Sequence, residues 1–296
     1  MATVDVTRSA LPLTPTRSLT LRVIWQRYGR LMFGGMILLP FVLFAILPGL
    51  FSPYDPLKIS VRDTYIPPSL QHPFGTDELG RDVFTRVVYG ARVSLTAAIL
   101  TILAASAAGV FLGVIAGYWG GWTDRIITSF GDMVLSFPSL ILAMAVAAAL
   151  GPGLSHSMMA VAAVWWPVYA RLMRGLALHL KHEGYVEAAR AAGGRSLYII
   201  RRHVFPNSLS ALNVRISLDI GLAVQVLASL GFIGLGASAP TPEWGAMVSW
   251  GRTYFLTYWW IGVFPALAII LVVIGTSLLG DAFNDLWNPL LGASER

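Results

Sequence analysis

The chain has 296 residues, of which 56% are hydrophobic and only 12% are charged, and its net charge is +6 at pH 7. About a quarter of the residues of a water-soluble domain are charged, so this chain has about half the charged fraction that such a domain would have. The composition therefore excludes a water-soluble domain and indicates a membrane protein. The absence of cysteine excludes disulfide bonds, a lipid-modified cysteine and a thiolate metal site.

Apolar blocks predict the transmembrane segments. A helix needs about 20 residues to cross the hydrocarbon core of a bilayer. Blocks of that length lie at 31–51, 93–117, 127–149, 157–178, 213–236 and 259–280. The first block is too long for a signal-peptide core and no cleavage site follows it, so we expect it to be retained. We predict an all-α, polytopic membrane protein with six transmembrane helices, in which Pro138 and Pro167 are tolerated with a kink.

Basic residues predict the orientation of these spans. The tail before the first span carries five arginines against Asp5 alone, and the segment 171–215 carries eight basic residues. The segments predicted on the other side carry six basic and six acidic residues. The positive-inside rule therefore places both termini and the loop 179–210 in the cytoplasm.

A stripe of small residues runs along the second predicted span at Ala105, Gly109, Gly113 and Gly117. The spacing of four places these residues on one helical face, where another backbone can approach closely. We favour helix packing within this subunit over a contact at a subunit boundary.

The segment 183–206, called here the 183–206 hairpin, predicts two short helices. Residues 185–192 favour a helix rich in alanine, which Gly193 and Gly194 end. Residues 195–204 predict a second helix, with Leu197, Ile200 and Val204 on its apolar face and Pro206 at its end. A basic amphipathic hairpin could anchor to lipid. The smooth alanine surface instead favours insertion into the cleft of another protein.

The same residues carry a resemblance to a known family. Glu187-Ala188-Ala189, then Gly193 six places after Glu187 and Pro206 thirteen places after that, resemble the EAA loop of ABC-importer permeases. The chain departs from the general pattern at His203 and Phe205, where that pattern has Ile and Leu. The stretch 203–207 is nevertheless similar to the dipeptide/oligopeptide/nickel branch of the family.

A second stretch resembles the same branch. Residues 72–95 are similar to the segment that precedes the conserved domain in the C-type permease, and 117–121, 240–245 and 280–281 also look like that family. Physically, 72–92 predicts an exposed turn followed by an interfacial helix with Phe84, Val87, Val88 and Ala91 on one side. It would serve either as a structural collar or as a surface that receives an external binding protein.

The resemblance implies a type I ABC-importer transmembrane-domain fold and a division of the chain. Residues 1–30 would be a cytoplasmic tail, 31–92 the first span and an external segment, 93–285 the transmembrane domain, and 286–296 a second cytoplasmic tail. Within the 183–206 hairpin, it implies that the motif residues transmit movement from the ATPase. These are Glu187, Ala188, Ala189, Gly193 and Pro206.

The resemblance also implies the partners and the cargo. We expect a bacterial inner-membrane heterodimer with a second permease, two ATPase subunits that bind ATP and Mg, and an external substrate-binding protein. Peptides are the expected cargo, with nickel complexes or another small solute as alternatives.

We expect no catalytic, nucleotide-binding or metal site in this chain. The only lysines, Lys58 and Lys181, are not followed by Ser or Thr, so no phosphate-binding loop is present, and the Gly-x-Ser-x-Gly spacing is absent. His179, His182 and Glu183 could share a helix face as metal ligands, but a solvated helix explains them more simply. We predict no catalytic residue, no metal and no cofactor in this chain, and a transport subunit rather than an enzyme.

Polar residues within the predicted spans are candidates for a translocation path. Asp132, Asp219 and Gln225 are costly in a bilayer unless they face a cavity or a partner. We expect Asp219 to pair with Arg215 one turn earlier and to be structural, whereas Asp132 fits either role. A secondary transporter driven by an ion gradient is the main rival, but such proteins commonly have internal repeats, and no convincing repeat is present. A scaffold or receptor without transport is the third reading.

Overall fold

The computed structural model describes residues 21–287, and this part of the chain is helical, with a single isolated β-bridge between Thr76 and Asp82. The all-α prediction is confirmed. Most of the two predicted tails, 1–30 and 286–296, lies outside the described residues.

Eleven α-helices are present in the described range. They are α1 (Leu21–Ile46), α2 (Pro48–Phe51), α3 (Val83–Trp119), α4 (Gly121–Leu135), α5 (Ser139–Leu150), α6 (Leu154–Leu180), α7 (Gly184–Ala191), α8 (Ser196–Ile199), α9 (Phe205–Phe232), α10 (Trp244–Arg252) and α11 (Trp260–Trp287). A single 3-10 turn, Val61–Asp63, interrupts the long connection between α2 and α3, and a π-helical turn, Ile200–Val204, joins α8 to α9.

Four segments of the described chain are long and apolar enough to cross a membrane. They are Gly29–Ile46, Val83–Trp119, Ser196–Phe232 and Trp260–Asp285, and α4 with α5 becomes a fifth if the bent pair counts as one span. Helix α6, predicted as a span at 157–178, has 27 residues but does not belong to this set. Its Arg171 and Arg174 interrupt the apolar sequence near the end of the helix. The prediction of six spans is therefore not confirmed.

The predicted span 127–149 is not one kinked helix. Helix α4 ends at Leu135, α5 begins at Ser139, and the two axes meet at 92°. Pro138 lacks a backbone N–H and disfavours helical geometry at Phe137, so the chain turns there instead of bending gently.

Helix α3 begins at Val83, ten residues before the predicted span. The carboxylate of Asp82 caps it by accepting a hydrogen bond of 2.7 Å from the N–H of Thr85. Thr85 and Arg86 are buried, as are the residues predicted for its apolar side except Phe84. The predicted interfacial helix is therefore wrong, because the connection 52–82 and α10 cover this part of α3. The turn before it is partly exposed, at Pro73 and Leu79.

Helices α3 and α6 run parallel and touch along the small-residue stripe. Gly109 faces Tyr169, Gly113 faces Ala170 and Gly117 faces Arg174 on α6. A Cβ atom at Gly117 would lie 2.6 Å from the carbonyl oxygen of Arg174, so a larger residue would push the helices apart. The predicted packing role within the subunit is confirmed.

The main hydrophobic core lies between α3, α6, α9 and α11, with α1, α5 and α10 packed around them. A second, smaller core lies beneath the 183–206 hairpin.

Candidate functional site

The first arm of the 183–206 hairpin is a short helix with a defined end. Helix α7 stops at Ala191, and Gly193 adopts a φ of +86°, a conformation that side chains other than glycine rarely take. The N–H of Gly193 donates to the carbonyl of Arg190 over 3.0 Å, and that of Gly194 to Ala189 over 2.9 Å. This is a Schellman motif, which satisfies the last carbonyl groups of the helix.

The sequence predicted that the second arm ends at Pro206, but in the structure the helix continues beyond this residue. Helix α8, the π-helical turn Ile200–Val204 and α9 form one continuous helical run, in which Pro206 lies in the first turn of α9. Proline removes one N–H donor from the helix, and the wider π turn before it accommodates the ring. The hairpin is therefore joined to the spanning part of α9 without a loop.

The π turn also changes which residues face the protein. Ile199 and Val204 are buried, whereas Leu197, predicted for the apolar face, is 72% exposed. The prediction assumed an unbroken 100° step per residue, and the π turn shifts the register of the arm.

A small core supports the 183–206 hairpin from beneath. Val186 of α7 and Ile199 and Val204 of the second arm pack against Ala177 near the end of α6, with Tyr118 and Leu180 at the edge. The Asn207 amide also donates a hydrogen bond of 3.4 Å to the hydroxyl of Tyr185, which joins α7 to the start of α9. The hairpin is therefore packed against the end of α6 and the start of α9.

The predicted docking residues lie on the outer surface of this hairpin. Glu187, Ala188, Gly193 and Pro206 are exposed, and Ala189 is half-buried. The Glu187 carboxylate has no hydrogen-bond or ion-pair partner among the described residues. The structure thus presents a small apolar surface with one free carboxylate beside it.

Inside the bundle, Asp219 belongs to a cluster of three polar residues. Its Oδ2 atom lies 2.8 Å from Nε of Arg215 and accepts a hydrogen bond of 2.7 Å from the hydroxyl of Tyr169 on α6. The expected pairing with Arg215 is present. The sequence analysis missed Tyr169. Its one signal in the sequence was a hydroxyl group within a predicted span, which needs a partner when it is buried.

Asp132 borders a cavity between α4 and α6. Its carboxylate forms an exposed ion pair of 2.8 Å with Arg171. Two turns earlier on α4, Asp124, which the sequence analysis also missed, binds Arg174 through two parallel hydrogen bonds. Asp132, Arg171 and Arg174 border this cavity, whose volume is about 350 Å³.

The remaining polar candidates are isolated from these clusters. Gln225 is exposed on α9, and its side chain has no hydrogen-bond partner within the described range. His179 lies 3.3 Å from Glu183, and no group of three possible metal ligands occurs in residues that the structure describes.

The connection 52–82 and α10 form a collar over the end of the bundle opposite the 183–206 hairpin. Arg86 is buried there and donates hydrogen bonds to the carbonyls of Pro56 and Pro240, 3.1 and 3.3 Å away. Glu243 caps α10 by accepting from the N–H groups of Gly245 and Ala246. Burial raises the pKa of Glu243, and these two hydrogen bonds oppose the shift.

A bundle of apolar helices, with a helical hairpin docked at one end and joined directly to a spanning helix, defines a polytopic membrane protein. Residues 109–292 match the family described as "Binding-protein-dependent transport system inner membrane component". The chain belongs to this family of ABC-importer permeases.

Curated relatives extend the match over nearly the whole chain. The chain is 41% identical over 293 residues to a probable D,D-dipeptide transport system permease protein of Escherichia coli, with 98% of each chain covered. It is also 41% identical to a dipeptide transport system permease protein of Alkalihalophilus pseudofirmus, covering 86% of this chain and 84% of the relative. A glutathione transport system permease protein of Pectobacterium atrosepticum is 39% identical, covering 98% of this chain and 96% of the relative.

Proposed function

We propose that the chain is one of two permease subunits in an ATP-driven importer of peptides, and that the 183–206 hairpin couples it to an ATPase. The observation that carries this proposal is the exposed alanine surface of α7, ended by the Schellman turn at Gly193 and continuous through the second arm with α9. The names of the relatives, which refer to dipeptides and glutathione, support a peptide cargo.

The direct connection to α9 gives the hairpin a mechanical role. ATP binding would close the two ATPase subunits and move the cleft that holds α7. The small core of Val186, Ile199 and Val204 would transmit this movement, because buried side chains packed at crystal-like density do not deform freely. Helices α6 and α9 would then shift and expose the pathway alternately to the two sides.

Each motif residue of the hairpin would have its own role in this coupling. Ala188 and Ala189 would fit the cleft because they carry little side-chain bulk, and Glu187 would pair with a basic group of the ATPase. Gly193 would let the chain turn, and Pro206 would set the start of α9. ATP and Mg would bind to the ATPase subunits, and the second permease would complete the pathway.

Orientation follows from the same proposal. The 183–206 hairpin and both termini would face the cytoplasm of a bacterium, in agreement with the basic residues of this segment. The collar formed by the connection 52–82 and α10 would face the opposite side, where a binding protein delivers the cargo.

Reconstituted vesicles test the coupling role. Ala188→Arg should preserve assembly in the membrane but separate ATP hydrolysis from peptide uptake, because the added side chain cannot enter a cleft shaped for alanine. Gln71→Arg places the same side chain on the exposed surface of the collar and should leave coupling intact. Undiminished uptake by Ala188→Arg would contradict the proposal.

A further inference from the structure

A second cavity lies between α6, α9 and the bend that separates α4 from α5. Its volume is about 360 Å³, within the range typical of small-molecule sites. Polar and aromatic side chains meet at its wall, among them Phe137, Ser139, Trp165, Tyr169, Arg215 and Asp219, and Leu222 also lines it.

One edge of the Arg215 guanidinium is bound by another side chain, and the other edge is free. Its Nε atom contacts Asp219, whose side chain is 3% exposed and is held in turn by the Tyr169 hydroxyl. The Arg215 side chain is 43% exposed, and its Nη1 and Nη2 atoms have no hydrogen-bond partner in the part of the chain that the structure describes. The contact with buried Asp219 therefore fixes the guanidinium and leaves two of its nitrogen atoms available to a ligand.

The available edge of this guanidinium suits a carboxylate. The planar fork of arginine binds both oxygens of a carboxylate through parallel hydrogen bonds, and these charge-assisted bonds are among the stronger ones in proteins. Arg215 lies nine residues beyond Pro206, about 14 Å along the helix, so it is well inside the apolar run of α9. A charged side chain at such a depth is costly unless it faces a cavity or a partner.

The neighbouring cavity is less suited to an anion. Arg174 already uses its fork on Asp124, and Arg171 pairs with Asp132, whose carboxylate is 56% exposed. An exposed carboxylate there would repel an incoming anion. Asp219 differs because it is buried behind Arg215 and is bound by Tyr169.

We propose that Arg215 binds the C-terminal carboxylate of the cargo peptide in this cavity, with Asp219 and Tyr169 as positioning residues. The proposal rests on peptide import as the function of the chain. Because the second arm of the hairpin and α9 are one continuous helical run, a movement of that arm would also move Arg215 relative to α6. The carboxylate would therefore be bound and released in step with the ATPase.

Uptake by the reconstituted importer, complete with its partner subunits and binding protein, tests this site. Arg215→Gln combined with Asp219→Asn removes the guanidinium without leaving an unpaired buried carboxylate. Arg171→Gln combined with Asp132→Asn removes the same charges from the neighbouring cavity and is the matched control. The probe is whichever of labelled dialanine, trialanine and tetraalanine the unmodified importer takes up.

The Arg215/Asp219 variant should lower uptake about tenfold or more, as expected for the loss of a charge-assisted pair, while ATP hydrolysis stays within about twofold. The control variant should retain both activities. Unchanged uptake, an equal loss in the control, or a parallel loss of ATP hydrolysis would overturn the proposal. If the variant no longer co-purifies with the second permease, the carboxylate that Arg215 binds is a side chain of that permease. This result also overturns the proposal.

Protection of a single cysteine tests the chemistry of the ligand. The natural chain has no cysteine, so Leu222→Cys in the cavity and Ile233→Cys at the end of α9 each give a unique thiol, and both positions are 46% exposed in the native chain. The free peptide should slow labelling of the first cysteine but not the second, and its C-terminal amide should slow neither. Equal protection by acid and amide, or none by either, would overturn the assignment.

These results separate the proposal from the proposed function. An unmodified importer that takes up none of the three peptides in an ATP-dependent manner contradicts peptide import itself. If the unmodified importer takes up a peptide and the Arg215/Asp219 variant takes it up equally well, only the carboxylate site is contradicted.

Discussion

The hydroxyl of Tyr169 on α6 donates a hydrogen bond of 2.7 Å to the buried carboxylate of Asp219 on α9. This contact joins the two helices that support the 183–206 hairpin. The packing of α6 against α9 is therefore polar at the point where the cavity beside Arg215 begins.

Tyr169→Phe should destabilise the protein without changing its shape. The substitution removes one hydrogen bond to a charged group within the bundle, and we expect a loss of about 1–2 kcal/mol in the free energy of unfolding. The apparent melting temperature of the purified complex in detergent measures this loss. Tyr198→Phe, on the exposed surface of α8, should leave the melting temperature unchanged, and an equal effect of both substitutions would argue against the contact.

Gly113→Ala should weaken the contact between α3 and α6. The new Cβ atom would lie 2.9 Å from both the Cα of Ala170 and the Cβ of Met173, so the helices must separate. Overpacking of this kind costs about 1–3 kcal/mol. Gly175→Ala on α6 is the matched control, because no atom outside the local helix lies within 4 Å of its added Cβ. It should be neutral or slightly stabilising, and thermal unfolding of the two variants compares them directly.

Replacement of Arg86 by Met should damage the collar. Met roughly preserves the volume but removes the hydrogen bonds to the carbonyls of Pro56 and Pro240 and leaves Asp77 with Arg81 as its remaining basic partner. Breaking a buried charged contact costs about 3–5 kcal/mol, so the yield of folded protein and its melting temperature should both fall. Arg62→Met, on the exposed 3-10 turn, should change neither quantity. A folded yield equal to that of the unmodified protein would contradict the structural role of Arg86.

Glu243 should make stability depend on pH. Burial raises the pKa of its carboxyl group above the ordinary value of 4.5, so the folded protein binds this proton more tightly than the unfolded chain does. The resulting contribution to stability is present below that ordinary value and is lost as the pH rises through the raised pKa. Glu243→Gln cannot titrate, so the dependence of its melting temperature on pH should be flatter over this range. An unaltered pH profile would refute this origin of the dependence.

Local sequence patterns predicted the first arm of the hairpin well. The alanine-rich helix and its glycine stop depend on neighbouring residues, and the φ of +86° at Gly193 is the conformation for which glycine is suited. The small-residue stripe on α3 was also predictable, since a spacing of four fixes one helical face whatever the partner is.

Features that depend on distant contacts were not predictable in the same way. The segment 83–92 looked interfacial because its apolar residues share one side and Arg86 lies on another. Carbonyl groups from two distant connections nevertheless bind the Arg86 side chain. Pro206 looked like a helix end, but the π turn before it lets the helix continue. Tyr169 and Asp219 are 50 residues apart, so no local pattern joins them.

Crosslinking from a single cysteine tests the central claim that a separate ATPase holds the hairpin. Because the chain has no native cysteine, Ala188→Cys on α7 and Leu70→Cys on the opposite collar each provide one defined attachment point. In native membranes, a thiol-directed photocrosslinker should join Ala188→Cys to an ATPase subunit and should fail to do so from Leu70→Cys. The absence of any ATPase from the Ala188→Cys products, in membranes where the importer is assembled, would contradict the account.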